Sequence, residues 1–227
     1  MTALNYMLSS DAVCITMDTL ASRSDDKTPF IFTSKIFPVP HLNGVICGTG
    51  ISNFILDWFV FVNSSCLVKD MINLDLYTPE QLNLLFSKYQ ENKEINQPRS
   101  TIYHFGYDVT KREFAGFAYR SEKCFVSEQL IFSIGMKPEP SFIKKGEIPE
   151  LNGLPDAFIK IMKIQKEEDE KFLGDEKVGV GGDIHFFYMS KNQSSEDCLP
   201  ILMQIQHCHR FSDYENMYAQ MLKNVNR

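Results

Sequence analysis

The fold is decided near the amino terminus by the stretch Ala12–Asp18, which reads AVCITMD. This apolar run contains β-branched residues and ends on an aspartate, a composition that predicts a buried strand. The run Ala3–Leu8 before it has a similar character, and the turn-forming residues Ser9–Asp11 separate the two. The chain is therefore predicted to open with a β-hairpin.

Groups of strands and helices alternate through the rest of the chain. The predicted strands after the hairpin are Phe30–Phe37, Gly44–Cys47, Thr101–Tyr107, Glu113–Tyr119, Leu130–Ile134, Ile184–Met189 and Leu199–His207. The predicted helices are Ile51–Val62, a helix that begins at Thr78, Asp156–Phe172 and a last helix capped at Ser212. The segment Met136–Pro155, which contains several Pro and Gly residues, is predicted to be a loop. This order favours two stacked sheets covered by helices over a parallel βαβ sheet.

Length and composition exclude several classes of protein. The chain has 227 residues, a hydrophobic fraction of 44% and a net charge of −6, which predict one globular domain over residues 1–227. An acidic chain lacks the basic face that a duplex nucleic-acid binder needs. A membrane span requires about 18 consecutive apolar residues, and the sequence has no such run. The six cysteines form no CxxC pair and the amino terminus lacks the pattern of a signal peptide, so we expect reduced, buried thiols and a cytoplasmic location.

Four features near the start of the sequence share the spacing of a known catalytic site. Thr2 would become the first residue if Met1 were removed, Asp18 ends the second strand, and Lys35 follows the next loop. A Gly-rich turn, Gly48-Thr49-Gly50, precedes the first helix. This arrangement resembles the proteasome β-subunit family and its bacterial ATP-dependent relatives, which belong to the N-terminal nucleophile (Ntn) hydrolases. In that family a terminal Thr, an Asp at this distance, a Lys and a Gly-rich turn build the active site.

The resemblance also implies a fold and a set of partners. The expected fold is α+β, a four-layer αββα sandwich in which two stacked, mainly antiparallel sheets are flanked by helices. A homo-oligomer, either a ring or a smaller assembly, and a peptide or protein substrate are implied, while an ATPase partner stays an open question. No metal or cofactor is implied, and neither a nucleic acid nor a membrane is expected as a partner.

The residues predicted for the site match the chemistry of a threonine hydrolase, either a peptidase or an amidohydrolase. A Thr hydroxyl is a poor nucleophile until a base removes its proton, and the α-amine of a terminal Thr2 can act as that base. The resemblance implies that Lys35 keeps this amine neutral by charge repulsion and that Asp18 compensates the lysine. Backbone N–H groups of the Gly48–Gly50 turn would face the oxyanion. The implied reaction is cleavage of a peptide or amide bond through an acyl-enzyme.

Departures from the family pattern favour an alternative function. His104–Asp108, Leu130–Gly135 and Gly181–His185 resemble further strand segments of the family. However, Met136–Pro138 stands where the family has a Gly-Ser-Gly turn with an auxiliary Ser, and Asp175–Val180 lacks the Ser that the family has before its double Gly. The alternative is a catalytically inactive structural or assembly subunit with the same fold. A third hypothesis is an Ntn amidase with a different substrate.

Three other patterns have simpler interpretations. His207 and His209 are predicted to share one strand face at a spacing that metals use. No Cys or carboxylate partner stands at ligand spacing, so an ordinary strand end is favoured. Asp183 and His185 share a face of their strand without a nucleophile motif beside them. The charge run Lys166–Lys171 is interpreted as the solvated end of a helix.

Overall fold

The structure is a computed structural model that describes residues 2–23, 26–91, 99–144, 153–191 and 201–225. Its strands are β1 (Leu4–Leu8), β2 (Ala12–Asp18), β3 (Leu20–Ser22), β4 (Pro29–Phe32), β5 (Ile36–Val39), β6 (Gly44–Thr49), β7 (Thr101–Asp108), β8 (Glu113–Arg120), β9 (Ser127–Gln129), β10 (Ser133–Lys137), β11 (Asp183–Lys191) and β12 (Ile201–Arg210). Its α-helices are α1 (Ser52–Ser65), α2 (Met71–Asp75), α3 (Thr78–Gln90), α4 (Ser141–Lys144), α5 (Asp156–Asp169) and α6 (Tyr214–Val225).

The strands form three sheets, and neighbouring strands pair in antiparallel fashion. The first sheet has the order β10-β1-β2-β11-β12, and the second sheet has the order β5-β6-β7-β8-β9. The strands β3 and β4 form a separate small sheet. The predicted opening hairpin is confirmed, because β1 pairs with β2 and places Leu4 opposite Met17 and Leu8 opposite Val13.

One buried core lies where the first and second sheets face each other. Successive residues of a strand point to opposite sides, so Val13, Ile15 and Met17 of β2 share one side. They form one buried cluster with side chains of the second sheet, including Val45 and Phe105. Burying an apolar side chain contributes roughly 1.5–3 kcal/mol, so this cluster holds the two sheets together.

The helix α1 packs against the second sheet through the residues that its spacing predicts. Phe54, Trp58 and Val62 recur at helical intervals and are at most 1% exposed. They join a cluster that includes Ile46 of β6. On the other side of the molecule, α5 contacts the first sheet and buries Phe158. None of the helices in the described ranges is long and apolar enough to cross a membrane.

The prediction of a four-layer αββα sandwich is wrong. The described residues form a mixed α/β structure with three sheets, and their six α-helices do not make two regular layers. The helices α2 and α4 are single short turns, and α6 packs against β4 of the small sheet. The predicted strand Phe30–Phe37 is interrupted before Ile36, where the side chain of Lys35 turns inward. Its first part therefore pairs with β3, and its second part becomes the edge strand β5.

Two predictions for the chain segment from residue 130 to residue 155 are also corrected by the structure. The prediction of one strand over Leu130–Ile134 is wrong, because β9 ends at Gln129 and β10 begins at Ser133. The predicted loop Met136–Pro155 is interrupted as well, since β10 continues to Lys137 and α4 follows it. Residues 145–152 of this segment lie outside the described residues.

The cysteines differ in their environments. Cys14 and Cys47 are buried free thiols, which confirms the prediction for them. Cys66 and Cys208 are half-buried and Cys124 is exposed, so the prediction of burial is wrong for these three free thiols, and Cys198 lies outside the described residues. Burial raises the pKa of Cys14 to about 12, so this thiol stays protonated at neutral pH.

One buried histidine of the second sheet has an incomplete set of hydrogen bonds. Trp58 donates from Nε1 to Nε2 of His104 over 2.8 Å. Nε2 is therefore the unprotonated ring nitrogen, and Nδ1 carries the proton. Nδ1 is buried and has no hydrogen-bond partner among the described residues. Burial lowers the pKa of His104 to about 3, since a charged imidazole would be costly in this position.

We expect acid to destabilise the protein through His104. Its pKa is 6.5 in the unfolded chain and about 3 in the fold, so the unfolded state binds more protons between these values. Above pH 6.5 the ring is neutral in both states and adds no pH-dependent term, whereas stability falls as the pH drops from 6.5 towards 3, because only the unfolded chain takes up the proton. Urea unfolding between about pH 7 and pH 4.5 should show a steeper loss of stability in the wild type than in His104→Phe. Equal pH slopes would contradict this assignment.

Candidate active site

Asp18 is the centre of the candidate site, because groups from three distant parts of the chain bind its carboxylate. It is the last residue of β2 and is fully buried. Oδ1 accepts hydrogen bonds from the backbone N–H of Ala3 (3.0 Å) and from Nζ of Lys35 (3.1 Å). Oδ2 accepts a hydrogen bond from the backbone N–H of Gly181 (3.2 Å). The carboxylate thus ties together the start of β1 and the segments before β5 and β11.

Lys35 supplies the positive charge of the site. Its side chain is 3% exposed, and Nζ also donates to the carbonyl oxygen of Leu20 over 2.5 Å. Burial lowers the pKa of Lys35, and the adjacent Asp18 carboxylate opposes this shift. The two charges depend on each other, because either one left alone in this position would carry a large desolvation penalty.

Thr2 directly precedes Ala3 and is itself buried, with 4% of its surface exposed. Ala3 belongs to the apolar cluster on the α5 side of the first sheet, whereas Leu4 faces the core between the sheets. Because alternate residues of a strand share a side, we infer that Thr2 lies on the same side as Leu4, facing the second sheet. Met1, whose removal the predicted chemistry requires, lies outside the described residues.

The predicted Gly-rich turn lies next to Lys35, but its first two residues, Gly48 and Thr49, are the last residues of β6, and only Gly50 follows the strand. Ile36 pairs with Cys47 in the antiparallel ladder between β5 and β6. Lys35 and Gly48 are therefore the next positions at the same end of these two strands. The residues that were predicted to form the oxyanion site and the cation thus lie at one end of the second sheet.

Close backbone packing accounts for both glycines of this turn. A Cβ atom on Gly48 would lie 2.8 Å from the carbonyl oxygen of Thr101. Gly50 has a φ of 112°, and a Cβ atom there would overlap the backbone of Arg99. Glycine is the residue that tolerates both conditions. Thr49 between them pairs with Thr101 and is buried.

Asp169, the last residue of α5, binds the loop that leads to Gly181 of the candidate site. The prediction that Lys166–Lys171 is solvated is wrong for this residue, which is 3% exposed. Its carboxylate accepts hydrogen bonds from the backbone N–H groups of Val178–Val180 at 2.6 to 3.1 Å. Gly181, the next residue, donates to Asp18. Asp169 therefore fixes the loop whose end binds the central carboxylate.

We expect Asp169→Asn to lower the free energy of unfolding by about 2–3 kcal/mol. An amide has one acceptor oxygen, and its NH₂ group would face the N–H donors of Val178–Val180, so at least one buried donor loses its partner. Glu167→Gln is the matched control, because Glu167 is exposed on the same helix, and it should change stability by less than about 0.5 kcal/mol. Urea denaturation measures both effects. Equal effects of the two substitutions would show that Asp169 does not anchor the loop.

The two histidines that were predicted as a pair are separated by an irregularity in the first sheet. The register between β11 and β12 shifts, so that His207 pairs with His185 and His209 pairs with Ile184. The extra residue, Cys208, puts the two histidines on opposite sides, and the prediction of a shared face is wrong. In the described part of the chain, no group of three or more His, Cys, Asp or Glu residues is placed to hold a metal ion.

Comparison with other proteins assigns no family or function to this chain. No protein-family model matches the chain, and no curated protein matches it. The argument for function therefore rests on the contacts in the structure. Those contacts join Lys35 and Asp18, hold Ala3 on the same carboxylate and put Gly48 beside Lys35.

Proposed function

We propose that this protein is a threonine-type N-terminal nucleophile hydrolase that cleaves peptide or amide bonds once Met1 is removed. One observation carries the proposal: Oδ1 of Asp18 binds both the ammonium of Lys35 and the N–H of Ala3, the residue after Thr2. A buried cation is thereby held close to the first residues of the chain. A cation in this position suits an α-amine that must stay unprotonated to act as a base.

The proposed reaction begins at the hydroxyl of Thr2. The α-amine takes the proton from Oγ1 while Oγ1 forms a bond to the carbonyl carbon of the substrate, and the carbonyl oxygen becomes an oxyanion. When the tetrahedral intermediate collapses, the C–N bond breaks and the leaving amine takes the proton from the α-ammonium. Water then hydrolyses the ester and restores the Thr2 hydroxyl.

The charged pair contributes to this reaction through electrostatics. Lys35 disfavours a second positive charge nearby and so holds the pKa of the α-amine below its ordinary range of about 7.7–8.0. Asp18 offsets the cost of burying Lys35 and fixes the position of its ammonium. Backbone N–H groups of the turn at Gly48, which adjoins Lys35, are the candidates for stabilising the oxyanion.

A non-catalytic structural or assembly subunit is the second candidate. It is favoured by the burial of Thr2, because a nucleophile that is 4% exposed offers little surface to a substrate. In that function the pair of Asp18 and Lys35 would serve only to anchor the start of the chain. Both candidates include association into a homo-oligomer, which sedimentation velocity tests.

The intact mass of the protein and its hydrolysis of fluorogenic peptide amides test the proposal together. We expect a mass that lacks Met1. The rate at which amine is released from the substrate should be proportional to the fraction of protein that has lost Met1. A protein that keeps Met1 and hydrolyses nothing would favour the structural subunit. Hydrolysis by a protein that keeps Met1 would contradict the proposed mechanism, because its α-amine would no longer belong to Thr2.

A further inference from the structure

Lys137, the last residue of β10, projects from the first sheet towards the second. It pairs with Leu4, which belongs to the core between the sheets, and paired residues of neighbouring strands share a side. Nζ of Lys137 donates a hydrogen bond to Oγ1 of Thr101 in β7 over 3.2 Å. Lys137 therefore bridges the two sheets close to the start of β1, where Thr2 lies.

A row of side chains across the second sheet faces this lysine. Thr101 pairs with Thr49 on one side and with Arg120 on the other. Thr49 belongs to the Gly-rich turn of the candidate active site, so the row runs from that turn to Arg120. The side chain of Arg120 is 32% exposed, so this end of the row reaches solvent. Two cations thus converge beside the candidate active site.

The positive charge of this cluster is only partly balanced. Glu128 binds Arg120 over 3.2 Å, but the same carboxylate also binds Lys123 over 2.8 Å. Burial lowers the pKa of Lys137, repulsion from Arg120 lowers it further, and attraction by Glu122 opposes both effects. Among the described residues, Lys137 forms no ion pair, and its hydrogen bond goes to a neutral hydroxyl. An anion between Lys137 and Arg120 would relieve their repulsion.

We propose that Lys137 and Arg120 form a carboxylate-binding subsite between the two five-stranded sheets, so that the preferred substrate carries an acidic side chain next to the bond that is cleaved. This inference rests on the proposed hydrolase function, because the subsite gains its role from the neighbouring Thr2. Arg120 donates from Nε to Glu128 and also hydrogen-bonds Tyr103. Its remaining guanidinium N–H groups are therefore the donors for a carboxylate, and the ammonium of Lys137 adds a point charge. The hydroxyl of Thr101 keeps the ammonium in position when the subsite is empty.

The test compares two ligands that differ in charge and hardly in shape. Acetyl-glutamyl amide and acetyl-glutaminyl amide are titrated into the full-length protein by calorimetry at low ionic strength. We expect the wild type to bind the glutamyl ligand about 10-fold more tightly than the glutaminyl ligand. Lys137→Met keeps the apolar stem and removes the charge, so it should abolish this preference. Lys111→Met is the matched control, because Lys111 is exposed between β7 and β8, at the opposite end of β7 from Thr101, and it should keep the preference.

A second variant and a spectroscopic measurement distinguish ligand binding by Lys137 from a purely structural role of its side chain. Arg120→Gln should also abolish the preference, and circular dichroism establishes that each variant is folded. The NMR titration of ¹³C-methylated lysines should show the Lys137 amine with a lowered pKa, and that pKa should rise when the glutamyl ligand binds. A merely structural bridge to Thr101 would leave the pKa of the amine insensitive to the ligand.

The outcomes separate this inference from the proposed function. Equal binding of the two ligands, a preference that survives Lys137→Met, or no binding of the glutamyl ligand would each overturn the subsite. Titration of the Thr2→Ala protein measures binding without turnover. If the protein prefers the glutamyl ligand but hydrolyses nothing, the subsite is retained and the proposed hydrolase function is rejected. If the protein hydrolyses amides but does not prefer the glutamyl ligand, only the subsite is rejected.

Discussion

Lys35→Met is expected to lower the free energy of unfolding by about 3–5 kcal/mol, since it leaves the buried carboxylate of Asp18 without its cation. The Met side chain fills most of the space of the lysine stem, so the loss reflects the charge more than a cavity. Among the described residues, Oδ1 of Asp18 would keep only the N–H of Ala3 as a donor. Urea denaturation at neutral pH measures the change, and a loss below about 1 kcal/mol would contradict a structural role for the pair.

The double variant Lys35→Met/Asp18→Asn is the control for this prediction. It removes both charges, so no uncompensated ion stays buried and part of the lost stability should return. Hydrolytic activity should not return, because the proposed mechanism needs the cation near the α-amine of Thr2. A double variant as unstable as Lys35→Met would show that the loss comes from packing instead of charge.

Thr2→Ala is expected to reduce hydrolysis of peptide amides by at least about 1,000-fold, because it removes the nucleophilic oxygen. Thr2→Ser keeps a hydroxyl and an α-amine and should retain a measurable fraction of the activity. The rate of amine release from a fluorogenic peptide amide measures both variants. The mass of each variant must also be measured, since the comparison requires proteins that have all lost Met1.

Thr16→Val is the matched control for Thr2→Ala. Thr16 is a buried threonine of β2 whose Oγ1 has no hydrogen-bond partner among the described residues. Replacing it by the isosteric Val should leave both stability and hydrolysis nearly unchanged. Hydrolysis by Thr2→Ala at the wild-type rate would reject Thr2 as the nucleophile.

Local sequence patterns correctly predicted the elements whose residues show their buried side within one strand or one helix. The apolar, β-branched run Ala12–Asp18 and the helical spacing of Phe54, Trp58 and Val62 were sufficient to place the opening hairpin and α1. The same reasoning failed for Phe30–Phe37, because its composition is strand-like on both sides of the break. That break is set by the distant contact of Lys35 with Asp18, which composition does not reveal.

In the candidate site as well, sequence spacing predicted some residues, whereas others depend on contacts between distant parts of the chain. Spacing within the opening segment singled out Asp18 and Lys35, which the structure joins in an ion pair. The sequence offered no comparable signal for Asp169, because a carboxylate inside a charge run looks solvated until the loop at Val178–Val180 folds onto it. Lys137 was likewise noticed only as a departure from a family pattern, since its contact depends on how two sheets face each other.

Covalent labelling by a peptide epoxyketone tests most directly the central claim that the first residues carry the nucleophile beside a buried cation. The labelled protein is digested, and mass spectrometry locates the adduct. We predict one adduct on the amino-terminal peptide that begins with Thr2, joined to both its α-amine and its Oγ1, and no adduct in Thr2→Ala. Labelling at another residue, such as the exposed Cys124, with Thr2 unmodified would contradict the account.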